Sequence, residues 1–415
     1  MNVKRYSLAD RRATPNASPE APKSFTTAFQ SIALLLQGGG ALGAYQAGVF
    51  EALQESGITP SLIAGISIGA INSAIIAGNA PEERVAKLRS FWELVSDDGD
   101  GELSASLSGL SAGGDQRSLF NQAAAARARL RGVPGFFTSR VPPPSGAAPG
   151  FGGATSWYSN DDLRRTLERL VDFDRINAKE MRFSVGAVNV RTGNFVYFDN
   201  ETHTLGPDHI MASGALPPAF NAIEIDGEFY WDGGMVSNTP LHWVLSTRSK
   251  LDTLVFQVDL WSARGELPRD LAEVAVRMKE IQYSSRTRAA TADFSMIQRF
   301  RAAFHDLLAR MPSELAATAQ ARFLAASSDP AAYSIVQLVY QTTSYEGDSK
   351  DYDFSRRTMK DHWLAGRRDV MKTLKHPEVL VRPKGQSAVK VYDFITPAAH
   401  HSAAVADGEV YTQDL

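Results

Sequence analysis

Residues 31–43 read SIALLLQGGGALG, and the fold is decided there. Ser31 to Leu36 is a short, unbroken apolar run, the pattern of a strand buried on both faces of a parallel sheet. It empties into Gly38-Gly39-Gly40-Ala41-Leu42-Gly43. Ala44 to Ser56 follows with helical spacing at Val49 and Leu53, and it stops at Gly57. The same rhythm then repeats. Leu62 to Ile66 is strand-like, Ser67 sits in a turn, Ala70 to Ala77 reads as a buried helix and Pro81 to Val95 as an amphipathic one. Strand, glycine turn, helix, strand, serine turn, helix predicts an α/β fold: a three-layer α/β/α arrangement with a mainly parallel sheet.

Working outward, residues 96–156 interrupt the pattern with Gly-, Ser- and Pro-rich stretches and read as an inserted surface loop or lid. Phe136 and Phe137 inside it read as local packing, with an exposed lid edge as the second reading. Asn160-Asp161-Asp162 is a cap for a helix through Val171. Phe183 to Val190 and Asn194 to Phe198 flank Arg191-Thr192-Gly193, which predicts a hairpin. His209 to Ala215 reads as helix. Glu228 to Trp231 is a short strand ending in Asp232-Gly233-Gly234, and Leu254 to Asp259 is expected to be the last strand of the sheet. Beyond residue 263 the composition turns to basic helical segments, Arg269 to Arg288, Met296 to Arg310 and Phe354 to Leu374, with a short strand-like piece at Val379 to Val391. The expected organisation is a disordered leader (1–28), a main domain (29–262), a mostly helical C-terminal extension (263–396) and a flexible tail (397–415).

Composition narrows the chemistry. A hydrophobic share of 44% and a charged share of 21% belong to a globular chain. A net charge of −3 gives no electrostatic case for nucleic acid. Cysteine is absent, which removes a thiol nucleophile, disulfides, cysteine-ligated zinc and iron–sulfur sites. The first 25 residues carry charges but no continuous apolar core, so no secretory signal is expected and the cytoplasm is the expected location. Only Leu62 to Ala80 approaches the apolarity of a membrane span. Its Gly65, Ser67, Gly69, Asn72 and Ser73 make it a strand, turn and buried helix instead.

Three short stretches carry chemistry. Gly65-Ile66-Ser67-Ile68-Gly69 fits G-x-S-x-G, in which a serine on a tight strand-to-helix turn needs small neighbours and faces the free N–H groups of the helix behind it. Gly38-Gly39-Gly40 can bring converging backbone N–H groups close to a substrate oxyanion. The same loop, with Gly43, also fits the G-x-G-x-x-G of a dinucleotide-binding fold. That fold wants an acidic residue at the end of the second strand, where this chain has Gly65-Ile66-Ser67. On the residues alone Asp232-Gly233-Gly234 reads first as an exposed β-turn. Its functional reading is a carboxylate base, held close to its partner by the two glycines.

Taken together and in this order, these stretches resemble the patatin-like phospholipase family. Further matches are Ala187-Val188-Asn189-Val190-Arg191-Thr192-Gly193, the segment from Ala212 to Phe220 (ASGALPPAF), and Asp232 to Pro240 (DGGMVSNTP). The resemblance spans about residues 30–260. The stretch Phe354 to Trp363 is similar to an extension found on one bacterial subgroup. It implies a patatin-like fold, a lipid or acyl-ester substrate, Ser67 as nucleophile, Asp232 as base and the Gly38–Gly40 amides as oxyanion donors. The glycines Gly43, Gly65, Gly69, Gly233 and Gly234 would support the motifs. No metal or cofactor is called for, since protein groups supply every role. Where many members carry Arg or Lys between the glycines, this chain has Leu42, which weakens the case for charged head groups. A catalytically silent lipid-binding protein is the alternative from another class. Peripheral contact of the basic C-terminal helices with a membrane is a further expectation, though Asp270, Glu273, Glu280, Asp293 and Asp306 are interleaved there and favour a solvated or packed face. The oligomeric state is left open.

His242 and His305 follow Asp232 in an order that a Ser–Asp–His triad could use, but the resemblance implies a dyad without histidine. Replacing both should leave ester turnover within a few-fold of the parent; a thousandfold loss would restore the triad.

Overall fold

The computed structural model describes residues 25, 27–96, 114–146, 148, 153–246, 250–342, 346–347, 349–383 and 389–396. The expected leader and tail lie almost wholly outside them. The described strands are β1 Ser31–Leu36, β2 Leu62–Gly65, β3 Gly132–Val133, β4 Phe137–Ser139, β5 Tyr158–Ser159, β6 Arg182–Asn189, β7 Phe195–Asp199, β8 Ile223–Ile225, β9 Glu228–Asp232, β10 Thr253–Asp259, β11 Tyr333–Val339 and β12 Val389–Tyr392. Nine of them form one sheet in the order β12-β11-β10-β1-β2-β6-β9-β8, with β7 paired to β6. β1 lies at the centre, parallel to β2 on one side and β10 on the other. All six of its residues are buried, as an apolar run covered by helices on both faces must be. The fold is the mainly parallel α/β/α arrangement expected.

The sheet does not end at β10. β11 pairs parallel with β10, and β12 with β11, so the segment read as helical extends the central sheet by two strands. The run YSIVQLV of β11 has the same character as β1, but it sits among helical segments that masked it. Among the described residues of Val379 to Val391 strand is confined to β12, Val389–Tyr392, and Pro377–Leu380 is a 3-10 turn. The two helical segments expected between residues 269 and 310 merge into one helix, Leu271–Ala309, because no Gly or Pro separates Pro268 from Pro312. Asp270 caps it, accepting from the Glu273 N–H at 2.8 Å.

The insertion is more ordered than a loop. It holds the helix Gly114–Arg131 and, with β5, the small antiparallel sheet β3-β4-β5; residues 97–113 lie outside the described residues. Asn160 stands at the N-cap of the helix Asp161–Leu170, but its side chain makes no capping bond. The predicted hairpin is β6 and β7, and it turns through Gly193 at φ 71°. Among the described residues no helix is long and apolar enough to cross a membrane.

One packing contact joins the first helix to the C-terminal region. The helices Ala44–Glu55 and Arg356–Thr373 approach so closely that a Cβ on Gly48 would lie 1.9 Å from the Trp363 carbonyl oxygen. A Cβ on Gly366 would lie 2.0 Å from that of Tyr45. The Tyr45 hydroxyl donates to Asp369 (3.0 Å) and the Trp363 indole to Glu51 (2.7 Å) across the same seam. Gly48→Val should therefore cost about 3 kcal/mol or more and lower Tm by several degrees. Gly206→Ala, where nothing lies within 4 Å of an added Cβ, should change Tm little. Thermal unfolding of the two variants checks both outcomes.

Candidate active site

The site is built where two strands end. β7 occupies one edge of β6, and β2 and β9 share the other. β2 runs parallel to β6 and stops with Gly65 opposite Val185. β9 runs antiparallel and stops with Asp232 opposite Ala187. The two carboxyl ends converge on Gly186, so the residues just past β2 and at the end of β9 must meet.

Ser67 stands two residues beyond β2, at φ 55° and ψ −123°, a conformation few non-glycine residues adopt. The neighbouring glycines are required by close approach. A Cβ on Gly65 would lie 2.2 Å from the Gly69 carbonyl oxygen, and one on Gly69 would lie 2.2 Å from that of Leu36. The helix Ile68–Ala77 begins at once behind the serine. The Ser67 N–H is held by the carbonyl and the hydroxyl of Ser213, both at 3.1 Å. Two residues on, the Ala215 carbonyl accepts the N–H of Asp232 at 3.0 Å. The Ser213-Gly214-Ala215 segment thus ties both loops together.

The Asp232 side chain is buried and accepts the N–H of Gly234 at 2.7 Å, with the Ser67 hydroxyl close enough to favour its charge. Burial pushes its carboxyl from 3.8 up to about 7, against the pull of the Gly234 amide and the serine. Gly233 packs on the Gly186 carbonyl and Gly43 on Ile68, in both cases with no room for a Cβ.

The glycine loop departs from expectation at one position. Gly38 N–H already donates to Asn238 Oδ1 (3.1 Å), so it is not free to hold a substrate oxygen. Asn238 Nδ2 and Trp261 Nε1 donate in turn to the Gly38 carbonyl at 3.2 and 2.9 Å. Gly38 is therefore a clamped anchor. The N–H groups of Gly39, Gly40 and Ile68 are left without a protein acceptor among the described residues. Gly40 is at φ 56°, and a Cβ there would lie 2.3 Å from the Asp351 carbonyl oxygen. The loop is also fixed from behind: Gln37 Oε1 accepts from the N–H groups of Leu260 (2.6 Å) and Trp261 (3.1 Å).

These groups open into a cleft of about 740 Å³, counting its mouth. Phe136, Phe137, Phe220 and Phe354 form an aromatic cluster that lines it together with Trp261 and Tyr352. Phe136 and Phe137 are neither merely packed in a loop nor an exposed edge; they are walls of the cleft. Among the described residues no lysine, arginine or histidine lines it. His242 and His305 are exposed and away from it. Leu42 is wholly buried, so that position points into the core. Asn238 was not singled out in the sequence as a site residue, although the DGGMVSNTP run contains it. Tyr352 carried no signal and Phe354 none that pointed to the cleft, because their place there depends on distant packing.

The family described as patatin-like phospholipase matches residues 34–245, just over half of the chain. A second family, described as patatin phospholipase, matches residues 281–386. Lysophospholipase NTE1 of Chaetomium globosum is 32% identical over 112 residues, 23% of this chain and 7% of its own length. Lysophospholipase nte1 of Aspergillus terreus is 51% identical over 76 residues, 16% of this chain and 5% of its own. Triacylglycerol lipase ptl3 of Schizosaccharomyces pombe is 42% identical over 61 residues, 15% of this chain and 13% of its own. The chain thus spans only a small part of the curated relatives it matches. With the family match covering the glycine loop, the serine elbow and the Asp-Gly-Gly turn alike, the chain belongs to the patatin-like phospholipase family.

Proposed function

We propose that this protein hydrolyses acyl esters of lipids by way of a Ser67–Asp232 dyad. The observation that carries the reading is the Ser67 hydroxyl beside the buried Asp232 carboxylate, both lining one aromatic cleft. Ser67 Oγ attacks the ester carbonyl carbon as its proton passes to Asp232. The negative charge that develops on the carbonyl oxygen is held by the N–H groups of Gly39, Gly40 and Ile68, worth roughly 3 kcal/mol each in a water-poor site. Asp232 then gives the proton to the departing alkoxide, leaving an acyl-serine. A water molecule, deprotonated by Asp232, attacks the acyl carbon and releases the acid, and the serine recovers its proton. A carboxylate with an ordinary pKa is a weak base at neutral pH, and burial supplies the correction.

The aromatic walls suit an acyl chain. A lining with no cation among the described residues suits an ester whose vicinity is uncharged, such as a neutral glyceride or a lysophospholipid with its phosphate at the mouth. The printed names of the relatives, lysophospholipase and triacylglycerol lipase, support that substrate class. No cofactor enters the scheme.

Turnover of a short-chain nitrophenyl ester should fall at least a thousandfold in Ser67→Ala and in Asp232→Asn. A fluorophosphonate should label the parent at Ser67. Full turnover by Ser67→Ala would sink the reading, and a parent that neither turns over ester nor labels would favour a silent lipid-binding protein.

A pH series gives a separate check. Only ionised Asp232 can take the proton, so kcat/KM should rise as pH passes through about 7 and level off above it. Stability should run the other way. An unfolded chain releases this proton near pH 4, whereas the folded one keeps it to about 7. The group therefore lowers stability progressively across that interval, and fully above it, by on the order of 3–4 kcal/mol. The stability of Asp232→Asn relative to the parent should accordingly increase from pH 4 to pH 8 in urea unfolding.

A further inference from the structure

Charge is distributed unevenly along the chain. Residues 116–160 hold five arginines and no aspartate or glutamate, in a protein whose net charge is −3. Arg117 is taken by Asp361. Arg129 lies over the Tyr352 ring, its guanidinium carbon 4.8 Å from the centre, and Arg140 Nε donates to the Ser156 hydroxyl at 3.0 Å. Arg129, Arg131 and Arg140 have no acidic partner among the described residues. Large apolar side chains are exposed at the same place: Leu130 (77%), Val141 (91%) and Trp157 (48%). Hydrogen bonds tie their segments together. The Arg140 N–H, next to Val141, donates to the Trp157 carbonyl at 3.0 Å, and the Ser139 hydroxyl donates to the Leu130 carbonyl at 2.8 Å. Grouped apolar side chains this exposed, unlike single ones, mark a contact surface. The group also borders the cleft on two sides. Trp157 N–H donates to the Pro218 carbonyl (3.0 Å) and Tyr158 N–H to that of Ala219 (2.9 Å), in the segment whose Leu216, Ala219 and Phe220 are cleft walls. Tyr352, beneath Arg129, is a wall on the other side. Val141 follows Phe137, a further wall, by four residues, so their Cα atoms are no more than about 14 Å apart.

We propose that Leu130, Val141 and Trp157, with the arginines around them, are the surface by which this protein docks on an anionic lipid layer, beside the mouth of the cleft. Each component matches one depth of such a layer. Leucine and valine side chains gain by leaving water for the acyl boundary, tryptophan suits the headgroup level, and guanidinium groups bond lipid phosphates. Docking at this point places the aromatic walls next to the layer, so an acyl chain enters them with little exposure to water. A soluble polyanion would use the arginines alone and leave Leu130 and Val141 in water. The long helix Leu271–Ala309 also exposes apolar side chains, Met278 among them. Its basic residues are offset by Glu273, Asp293 and Asp306, so an anionic layer gains less from it. The docking rests on the acyl-hydrolase reading for its use but not for its detection, since binding is read without turnover.

Flotation of full-length Ser67→Ala, which consumes no lipid, with phosphatidylcholine vesicles made with and without phosphatidylglycerol tests it. The protein should float with the anionic vesicles, float less with the neutral ones and be released by high salt. On that background Leu130→Glu and Val141→Glu should each lower the partition coefficient by about tenfold or more. Arg131→Gln should lower it about fivefold on anionic vesicles alone. With Ser67 in place, the same three changes should leave circular dichroism and turnover of a soluble nitrophenyl ester as they were. Met278→Glu should leave flotation unchanged. A chain that stays in the buffer when anionic vesicles float would overturn the proposal. So would flotation that survives Leu130→Glu and Val141→Glu combined, flotation that Met278→Glu abolishes instead, or retention on heparin without flotation. Flotation as expected from a parent that turns over no ester would leave the docking surface standing and remove the hydrolase.

Discussion

Two strands cannot occupy the same stretch of one edge of β6, and the site depends on how β2 and β9 divide it. β2 takes the edge as far as Val185 and β9 takes it from Ala187, so strands running in opposite directions finish one residue apart. The chain leaving each end must turn away from the sheet at the same place. One turn carries Ser67 and the other follows Asp232. Gly186 lies at the junction, where a side chain would strike Ile66 Cδ1 at 2.5 Å and the Phe195 ring at 2.3 Å. The nearness of Ser67 and Asp232 is thus set by strand register before any local preference acts.

Holding that contact has an energetic cost, and the surrounding hydrogen bonds offset part of it. Burial disfavours the Asp232 charge, and the Gly234 N–H and the Ser67 hydroxyl recover a fraction. The remainder is what leaves the carboxyl poised near neutrality. Behind the glycine loop a run of buried side chains is paired. Asn238 grips both sides of the Gly38 peptide, and Thr239 beside it accepts from Gln37 Nε2 (3.1 Å) and donates to Asp259 (3.2 Å). Gln46 and Asn72 continue the chain of bonds to the Trp92 indole. A buried network connected in this way is stiff, which is what the proposed oxyanion site requires.

The region beyond residue 263 is joined to this arrangement at several points. It supplies β11 and β12, the helix that meets Gly48, and the strap whose Asp351 carbonyl abuts Gly40 and whose Tyr352 and Phe354 face the cleft. Lys279 bonds Asp351 at 2.8 Å and Lys350 bonds Glu280 at 2.9 Å, fastening the strap to the long helix. The buried ammonium of Lys350 also sits 5.2 Å from the Trp261 ring centre, and the Trp261 indole is bonded to Gly38. Shape at the glycine loop is therefore coupled to packing far along the chain.

By itself the sequence determined whatever rests on short-range geometry. Apolar runs marked β1, β2 and β10, the glycines of 65–69 marked a turn too tight for a Cβ, and the spacing of Gly38 to Gly43 marked a loop between strand and helix. Ser67 and Asp232 were legible as candidates for the same reason, each framed by small residues. Only the tertiary structure decided that they share one cleft, because register between β2, β6 and β9 is set by long-range pairing. It alone revealed that Gly38 spends its N–H on Asn238, and that β11 belongs to the sheet although its neighbours in sequence are helices. Phe136 and Phe354 lie far apart in the chain and meet with ring centres 5.8 Å apart. Such contacts have no periodic signature, since burial against a distant partner leaves no mark on the residues adjacent in sequence.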